Sequence, residues 1–234
     1  MPIILKLGGS VISHSNRIID FDYLREFRDL LRDQIILGRR FVVVVGGGQT
    51  SRSYVDHAVS QGNVTDTEDL HWIGVAVNTL NAEMVRSFLG NETTEKRVWK
   101  YDDKDRITKL RFDKPIVVAG GFDAGKSSDW AALRIAQGLG ASSVFDLKNV
   151  DGVYNSDPKE DRKAKRISNL SWEEYLNLIN NPTEHKPGAN LPVDVIAARE
   201  AKDLGVDYYI LQASDIANLE RAIEGQEFIG TLIN

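Results

Sequence analysis

The chain has 234 residues, of which 42% are hydrophobic and 27% charged, a composition typical of a globular protein with a sizeable buried core. Its net charge of −5 disfavours nucleic acid as the main partner, and the lack of cysteine excludes disulfides, thiolate metal sites and cysteine nucleophiles. No apolar run approaches the roughly 20 residues that span a bilayer, and the first residues lack the basic segment of a signal peptide, so we expect a cytoplasmic protein with no membrane partner.

Short apolar runs alternate with helical patterns along the chain. The runs are almost continuous in Val, Ile, Leu and Phe, as strands are when helices cover both of their faces. The predicted strands are residues 3–7, 41–45, 115–119, 143–147 and 207–211. The sequence therefore predicts an α/β fold, a three-layer αβα sandwich with a largely parallel central sheet.

Helical spacing of apolar residues separates these strands. Helices are predicted over residues 22–37, 129–139 and 192–204. Ser171 and Glu174 form a predicted capping box at the start of a further helix. In the last helix, Pro192 is predicted as the first helical residue and Gly205 as the stop. The polar stretch 91–114 predicts a solvated hairpin or excursion, and any division into two lobes is expected near 145–150.

Three glycine clusters each follow an apolar run. They are residues 8–9, 46–48 and 120–121. Glycine lacks a Cβ, so backbone amides can approach an anion closely, and the N-terminus of a following helix adds partial positive charge. With Lys6 directly before the first cluster, the pattern predicts a phosphate ligand and phosphoryl transfer. This prediction requires all three turns to lie at the same edge of the sheet.

The first two glycine clusters differ in how strongly they indicate a phosphate-binding turn. The segment KLGGS at 6–10 fits a phosphate-binding turn and, equally, a tight strand-to-helix turn with a surface lysine. It lacks the spacing of a Walker A loop. The triple glycine at 46–48 is more specific, because it is costly in backbone entropy and exceeds what a simple turn needs. Arg52 follows near the first turn of the next predicted helix, where it can face the same anion.

Two further polar loops are candidates for ligand binding. Residues 120–129 end in two serines and Asp129, and a helix cap explains one serine and the acid but not Lys126 or the three glycines. Residues 149–159 read NVDGVYNSDPK, which is a turn by propensity. The polar groups around Tyr154 also suit an adenosine or a ribose.

Other catalytic patterns are missing from the sequence. The histidines have no metal-ligand spacing, and each fits a structural or exposed role; they are His14, His57, His71 and His185. No G-x-S-x-G elbow occurs, and no glycine cluster has the G-x-G-x-x-G spacing of a dinucleotide-binding dehydrogenase.

Taken together, the four loop segments resemble the amino acid kinase family, and within it the uridylate kinase branch in its archaeal form. The resemblance covers nearly the whole chain, and its most specific part is NVDGVY at 149–154 with DPK at 157–159. Arg52 after the triple glycine also suits uridylate kinases. The isopentenyl phosphate kinases of the family instead carry a functional histidine near that turn, and residues 46–54 contain none.

The resemblance implies a single domain over 1–234, with an acceptor-binding lobe at about 1–147 and an ATP-binding lobe at about 148–234. It implies ATP-dependent phosphorylation of UMP to UDP, with Mg²⁺ held mainly by the nucleotide phosphates and no metal ligands from the protein. It also implies a homo-oligomer, commonly a hexamer. A nucleoside monophosphate needs no general base, because its second phosphate pKa is about 6 and the attacking oxygen is already ionised at neutral pH. Catalysis then rests on alignment and on charge neutralisation.

Individual roles follow from the same resemblance. The implied ATP contacts are Lys6, Leu7, Gly8, Gly9, Gly48, Arg52, Lys148, Tyr154 and Asp157. The implied acceptor contacts are Gly47, Asp69, His71, Gly121, Phe122, Asp123, Ala124, Gly125, Lys126, Ser127 and Ser128. Lys6 is expected to be the principal catalytic cation, Lys126 the second, and Asp129 the residue that organises the lysines.

Three departures from the family pattern leave the acceptor open. The place of the acidic residue for the acceptor ribose holds His71, with Asp69 two residues away. Lys148 stands where a threonine is usual, and the loop 122–126 has an unusual sequence. The alternatives are a kinase of the same fold for an isoprenoid monophosphate or N-acetylglutamate, and a non-catalytic nucleotide-binding or storage module.

Overall fold

A computed structural model describes residues 1–13, 19–93, 112–158, 160–180, 182 and 191–234. The strands are β1 (Ile3–Leu7), β2 (Phe41–Val45), β3 (Ile116–Ala119), β4 (Ser143–Lys148), β5 (Val153–Tyr154), β6 (Arg166–Ile167), β7 (Asn169–Leu170), β8 (Asp207–Gln212) and β9 (Thr231–Ile233). The helices are α1 (Gly9–Ile12), α2 (Phe21–Ile36), α3 (Gly48–Ser60), α4 (Thr67–Leu89), α5 (Ser128–Leu139), α6 (Trp172–Leu178), α7 (Val195–Leu204) and α8 (Ile216–Ile223). Most of the predicted excursion, residues 94–111, lies outside the described residues, as do His14, Lys159 and His185.

The central sheet has seven strands in the order β3-β2-β1-β4-β8-β9-β7. The five strands from β3 to β8 run parallel, while β9 runs antiparallel to β8. The five strands predicted from the sequence are thus confirmed, as is the largely parallel sheet. Strand β4 pairs with both β1 and β8, so the sheet continues through 145–150, where the lobe boundary was expected. The assignment of lobes to the two substrates stays a prediction.

Helices cover both faces of the sheet. On β1, Leu5 and Leu7 pack into a buried cluster with α2, α4 and α8, while Ile4 packs into a second cluster with α5, α6 and α7. Side chains alternate between faces along a strand, so Lys6 shares the face of Ile4 and is directed toward the α5 layer. In the described part of the chain, no helix combines the length and the hydropathy needed to cross a membrane.

The helix boundaries follow their caps. The predicted capping box at the start of α6 is present, with Ser171 and Glu174 bonded to each other's backbone N–H groups. Gly205 ends α7 in the left-handed region, at φ +63, as predicted. The predicted start of that helix at Pro192 is wrong. The Asp194 side chain accepts hydrogen bonds from the first free backbone N–H groups, so α7 begins at Val195.

Candidate functional site

The first two glycine turns are in direct contact at the carboxyl edge of the parallel strands. A Cβ on Gly9 would lie 2.0 Å from the Gly48 nitrogen, and a Cβ on Gly48 would lie 2.1 Å from the Gly9 oxygen. Gly48 also has a φ of +62, which favours glycine. The turn at 120–121 follows β3, the parallel neighbour of β2, at the same edge. The three turns therefore share one edge, as phosphoryl transfer requires.

Asn81 on α4 holds the triple-glycine turn in place. Its amide nitrogen donates hydrogen bonds to the carbonyl oxygens of Gly46 and Gly47, each at 3.0 Å. The Asn81 side chain is buried, so these bonds satisfy an otherwise costly polar group. Sequence analysis missed this residue, because an asparagine within a helix carries no signal of its partner.

Beside this edge lies a network of two lysines and two aspartates. The Lys6 ammonium is 2.7 Å from Oδ1 of Asp129 and 3.1 Å from Oδ1 of Asp146. The Lys148 ammonium is 3.1 Å from Oδ2 of Asp146 and 3.5 Å from Oδ1 of Asp129. With both acids ionised, the network is electrically neutral.

Strand register and one helix N-terminus bring these four residues together. Lys6 on β1 and Asp146 on β4 are direct neighbours in the parallel pairing, and Lys148 lies two residues farther along on the same face. Asp129 belongs to the first turn of α5. Its second oxygen accepts a hydrogen bond of 3.0 Å from the backbone nitrogen of Asp194, which ties the network to the start of α7.

Burial and ion pairing oppose each other in this network. Burial alone would lower the pKa of Lys6, but the Asp129 and Asp146 carboxylates outweigh it and raise that pKa. Burial would raise the pKa of Asp129, but Lys148 and Lys6 hold it below its usual range. For Asp146, burial is the largest influence and raises the pKa against both lysines. Lys6 and Asp129 therefore stay charged at neutral pH.

A cavity of about 520 Å³ lies between α3, α4 and the loop that precedes α5. The predicted site residues that line it are Gly47, Gly48, Arg52, His71, Gly125, Lys126, Ser127 and Ser128. Sequence analysis missed the other lining residues, Ser51, Val55, Asp56, Leu70, Gly74, Val75 and Asn78. All seven belong to α3 or α4, whose mutual packing the sequence does not reveal.

Two cations line this cavity. The guanidinium of Arg52 is exposed and donates to the side-chain oxygen of Gln49, with no ion pair among the described residues. The Lys126 ammonium lies 5.0 Å from the centre of the Trp130 ring. The ion pairs of the lysine–aspartate network, as far as the described residues show, do not include Lys126. Together with the N-termini of α3 and α5, these cations make the cavity suited to an anion.

His71 lines the cavity and has one unpaired polar atom. Its Nε2 is buried and has no hydrogen-bond partner among the described residues. The ring packs against the loop before α5, with Nδ1 3.3 Å from where a Cβ of Gly125 would lie. Asp69, the acidic residue two positions earlier, is exposed in the first turn of α4 and does not line the cavity.

Several predicted site residues have structural surroundings of their own. The side chains of Leu7 and Phe122 pack in the hydrophobic layers, which leaves only their backbone for a ligand. Gly121 packs against the carbonyl oxygen of Val75, which a Cβ would approach to 2.2 Å. The carbonyl oxygen of Asp123 accepts a hydrogen bond from the backbone of Lys126, closing the turn around Ala124.

The segment after β4 forms a separate part of the predicted site. The Tyr154 hydroxyl donates to Asp151 at 2.8 Å, and this bond is the main reason that the Tyr154 pKa is raised. The carbonyl oxygen of Asp157 accepts a 2.8 Å bond from the backbone of Asp161 and so shapes the turn. Neither Tyr154 nor Asp157 lines the cavity. Gly48 and Arg52, which were predicted to contact ATP, instead line the cavity together with predicted acceptor contacts.

The described residues contain no group of three or more metal-ligating side chains. The two network carboxylates are engaged by lysines.

The chain is similar in sequence and in fold to known proteins. A model of the amino acid kinase family matches residues 1–211. The uridylate kinase of Haloarcula marismortui is 30% identical over 233 residues, covering 100% of this chain and 98% of that protein. The crystal structure of the uridylate kinase of Archaeoglobus fulgidus has a TM-score of 0.81 at 28% identity, with both chains fully covered. The UMP kinase of Bacillus anthracis, at 22% identity, covers 100% of this chain and 97% of that one with a TM-score of 0.78, a likeness of fold.

Proposed function

The chain belongs to the amino acid kinase family, and from that premise we propose that it transfers the γ-phosphoryl group of ATP to UMP. The observation that carries the proposal is the neutral lysine–aspartate network at the glycine-rich edge, next to a cavity suited to an anion. The names of the uridylate kinases to which the chain is similar support UMP as the acceptor.

The proposed reaction is a direct in-line transfer. A phosphate oxygen of UMP attacks the γ-phosphorus, the bond from that phosphorus to the bridging oxygen breaks, and ADP leaves with the bond's electron pair. The attacking oxygen is already ionised at neutral pH, so no side chain has to remove a proton. The obstacle is repulsion between two anions, which buried cations and backbone amides reduce.

Lys6 and Lys148 are the proposed catalytic cations. Both ammonium groups contact Asp129, the residue expected to organise the lysines. Lys126, the expected second cation, lies over Trp130 instead. We therefore assign Lys148 to the transferred phosphoryl group and Lys126, with Arg52, to the phosphate of the acceptor.

The remaining substrate contacts follow the resemblance. The backbone amide of Gly9 would hold the ATP phosphates, while that of Gly8 donates to the carbonyl oxygen of Leu147 at 2.9 Å and leaves Gly8 to permit the close approach. Tyr154 and Asp157 would contact the nucleoside. His71 is the proposed contact to the acceptor ribose, because its buried Nε2 needs a hydrogen-bond partner. When bound, Mg²⁺ supplies further charge neutralisation on the phosphates, which are its proposed ligands.

The decisive experiment offers ATP, Mg²⁺ and a panel of acceptors to the purified full chain. UMP-dependent release of ADP with matching formation of UDP supports the proposal. If ADP is released only with isopentenyl phosphate or N-acetylglutamate, the acceptor proposed here is wrong and the reaction type, phosphoryl transfer from ATP, is kept. Tight nucleotide binding without turnover would indicate a non-catalytic module and refute the proposal.

A matched pair of variants tests the assignment of the second cation. Lys148→Met is expected to lower kcat about 100-fold, because it removes a charge from the transferred group. Lys126→Met is expected mainly to raise the KM for UMP, because its charge serves acceptor binding. The reverse pattern would return the catalytic role to Lys126.

We also propose a homo-oligomer, as the resemblance implies, with a hexamer as the specific expectation. Light scattering measures this directly against the 26.1 kDa chain mass. A monomer at micromolar concentration would refute it.

A further inference from the structure

Asp146 is a charged residue within an otherwise apolar strand. Strand β4 reads SVFDLK, and the Asp146 side chain is fully buried. Among the described residues, its oxygens face one lysine each, Oδ1 toward Lys6 and Oδ2 toward Lys148, both at 3.1 Å. A carboxylate at such depth is strongly unfavourable unless cations compensate it, so its presence there calls for a role.

The neighbouring polar groups have other partners. The hydroxyl of Tyr208 donates to the carbonyl oxygen of Asp129. The hydroxyl of Tyr175 donates to the carbonyl oxygen of Val193. Asp146 therefore takes no part in holding α5 or α6 by these hydrogen bonds. Its described polar contacts are confined to the two lysines.

We propose that Asp146 is a positioning residue for phosphoryl transfer, which sets the spacing of the Lys6 and Lys148 ammonium groups by holding one on each of its oxygens. This inference rests on the proposed function. Asp146 itself does not touch either substrate. It acts by keeping both cations directed at the place where charge develops on the transferred group.

Asp129 alone does not provide this arrangement. Both lysines approach the same oxygen, Oδ1, at 2.7 Å for Lys6 and at only 3.5 Å for Lys148. Two ammonium groups that share one carboxylate repel each other, and the more weakly held one is displaced. Asp146 supplies the shorter contact to Lys148 and, in its ionised form, the second negative charge that balances the pair.

The first test is Asp146→Asn, which keeps the shape and removes the charge. We expect kcat to fall at least about 10-fold while the KM values for ATP and UMP stay within about 3-fold, because the loss falls on the transition state. The kcat–pH profile should also gain an alkaline limb, since Lys6 loses one of two carboxylates that raise its pKa. Within the described part of the chain, the charged and titratable groups that act on Asp146 or are acted on by it are Lys6 on β1, Lys148 on β4, Asp129 on α5, Tyr175 on α6 and Tyr208 on β8.

A double-mutant cycle separates positioning from a purely structural role. If Asp146 acts through the lysines, Asp146→Asn should change kcat by less than about 3-fold when Lys148→Met is already present. The double variant also removes one charge of each sign, so it keeps the network balanced. It therefore tests the inference even if Asp146→Asn alone does not fold.

The matched control is Asp207→Asn, an acid at the opposite end of the neighbouring strand β8. It should leave kcat and the pH profile unchanged. An Asp146→Asn enzyme with kcat within 3-fold of wild type and no new alkaline limb would overturn the inference, as would a further 10-fold loss in the Lys148→Met background. Failure of the wild-type protein to form UDP would instead refute the proposed function, so the two failures are distinct.

Discussion

The lysine–aspartate network and the cavity between α3 and α4 are built on opposite principles. In the network, buried charges are paired within the protein by strand register, and Lys148, the most exposed side chain, is only 13% exposed. The cavity instead presents Arg52 without an ion pair and His71 with an unpaired Nε2, as far as the described residues show. The proposed catalytic groups are already held in place by protein contacts, whereas the proposed binding groups of the cavity gain their partners only from a ligand. Variants of the network should therefore lower kcat, and variants of the cavity should raise KM.

The largest effect is expected for Lys6→Met. Loss of a buried cation from the transferred group should lower kcat at least 100-fold, on the order of 3–4 kcal/mol in the barrier, with the KM for UMP roughly intact. Steady-state kinetics and a melting curve measure both. Lys114→Met, which removes an exposed lysine outside the site, should retain full activity. Near-normal turnover of Lys6→Met would show that Lys6 is structural.

Asp129→Asn tests whether the network serves catalysis more than folding. We expect kcat to fall about 10-fold or more, because both lysines lose a shared partner, with a moderate loss of stability at pH 7. Although burial favours protonation of Asp129, Lys148 and Lys6 hold its pKa below the usual 3.8. Its contribution to stability is therefore present above about pH 4 and is lost as the pH falls further. Melting temperatures of wild type and variant should converge on acidification. A large fall in melting temperature at pH 7 with activity retained would identify Asp129 as a helix cap.

Arg52→Ala tests the expectation that variants of the cavity raise KM. The guanidinium is free to bind the acceptor phosphate, so its loss should raise the KM for UMP about 10-fold and change kcat less. Arg52→Lys keeps the charge but not the two-pronged geometry, and should recover part of the affinity. A fall in kcat at unchanged KM would place Arg52 with the network.

His71→Ala is expected to have the smallest effect, on selectivity. If Nε2 pairs with a ribose hydroxyl, the wild-type enzyme should prefer UMP to its 2′- or 3′-deoxy analogues several-fold, since a deoxy acceptor leaves Nε2 unpaired. The variant should lose that preference. Equal selectivity in wild type and variant, measured as the ratio of kcat/KM values, would remove His71 from the ribose site.

The parts of the molecule that sequence analysis recovered are those set by local chemistry. Apolar runs mark the parallel strands, and the Ser171–Glu174 box marks the start of α6. The start of α7 was misplaced because the side chain of Asp194 caps the helix, so that the helix begins after Asp194 and not at Pro192. The 23-residue helix α4 was not predicted, although Leu70, Ile73 and Val77 have helical spacing; its first half is only partly buried, and its fully buried residues begin at Val77.

By itself, the sequence determined the α/β class, the family resemblance and the glycine turns with Lys6, because each depends on residues that are close along the chain. The tertiary structure alone decided which charges meet. Residues 6, 129, 146 and 148 are brought together by the pairing of β1 with β4 and by the packing of α5 on their shared face. That is why Asp146 went unnoticed and why Lys148, and not Lys126, stands beside Lys6. Distances between side chains on different strands follow from register, which no local pattern encodes.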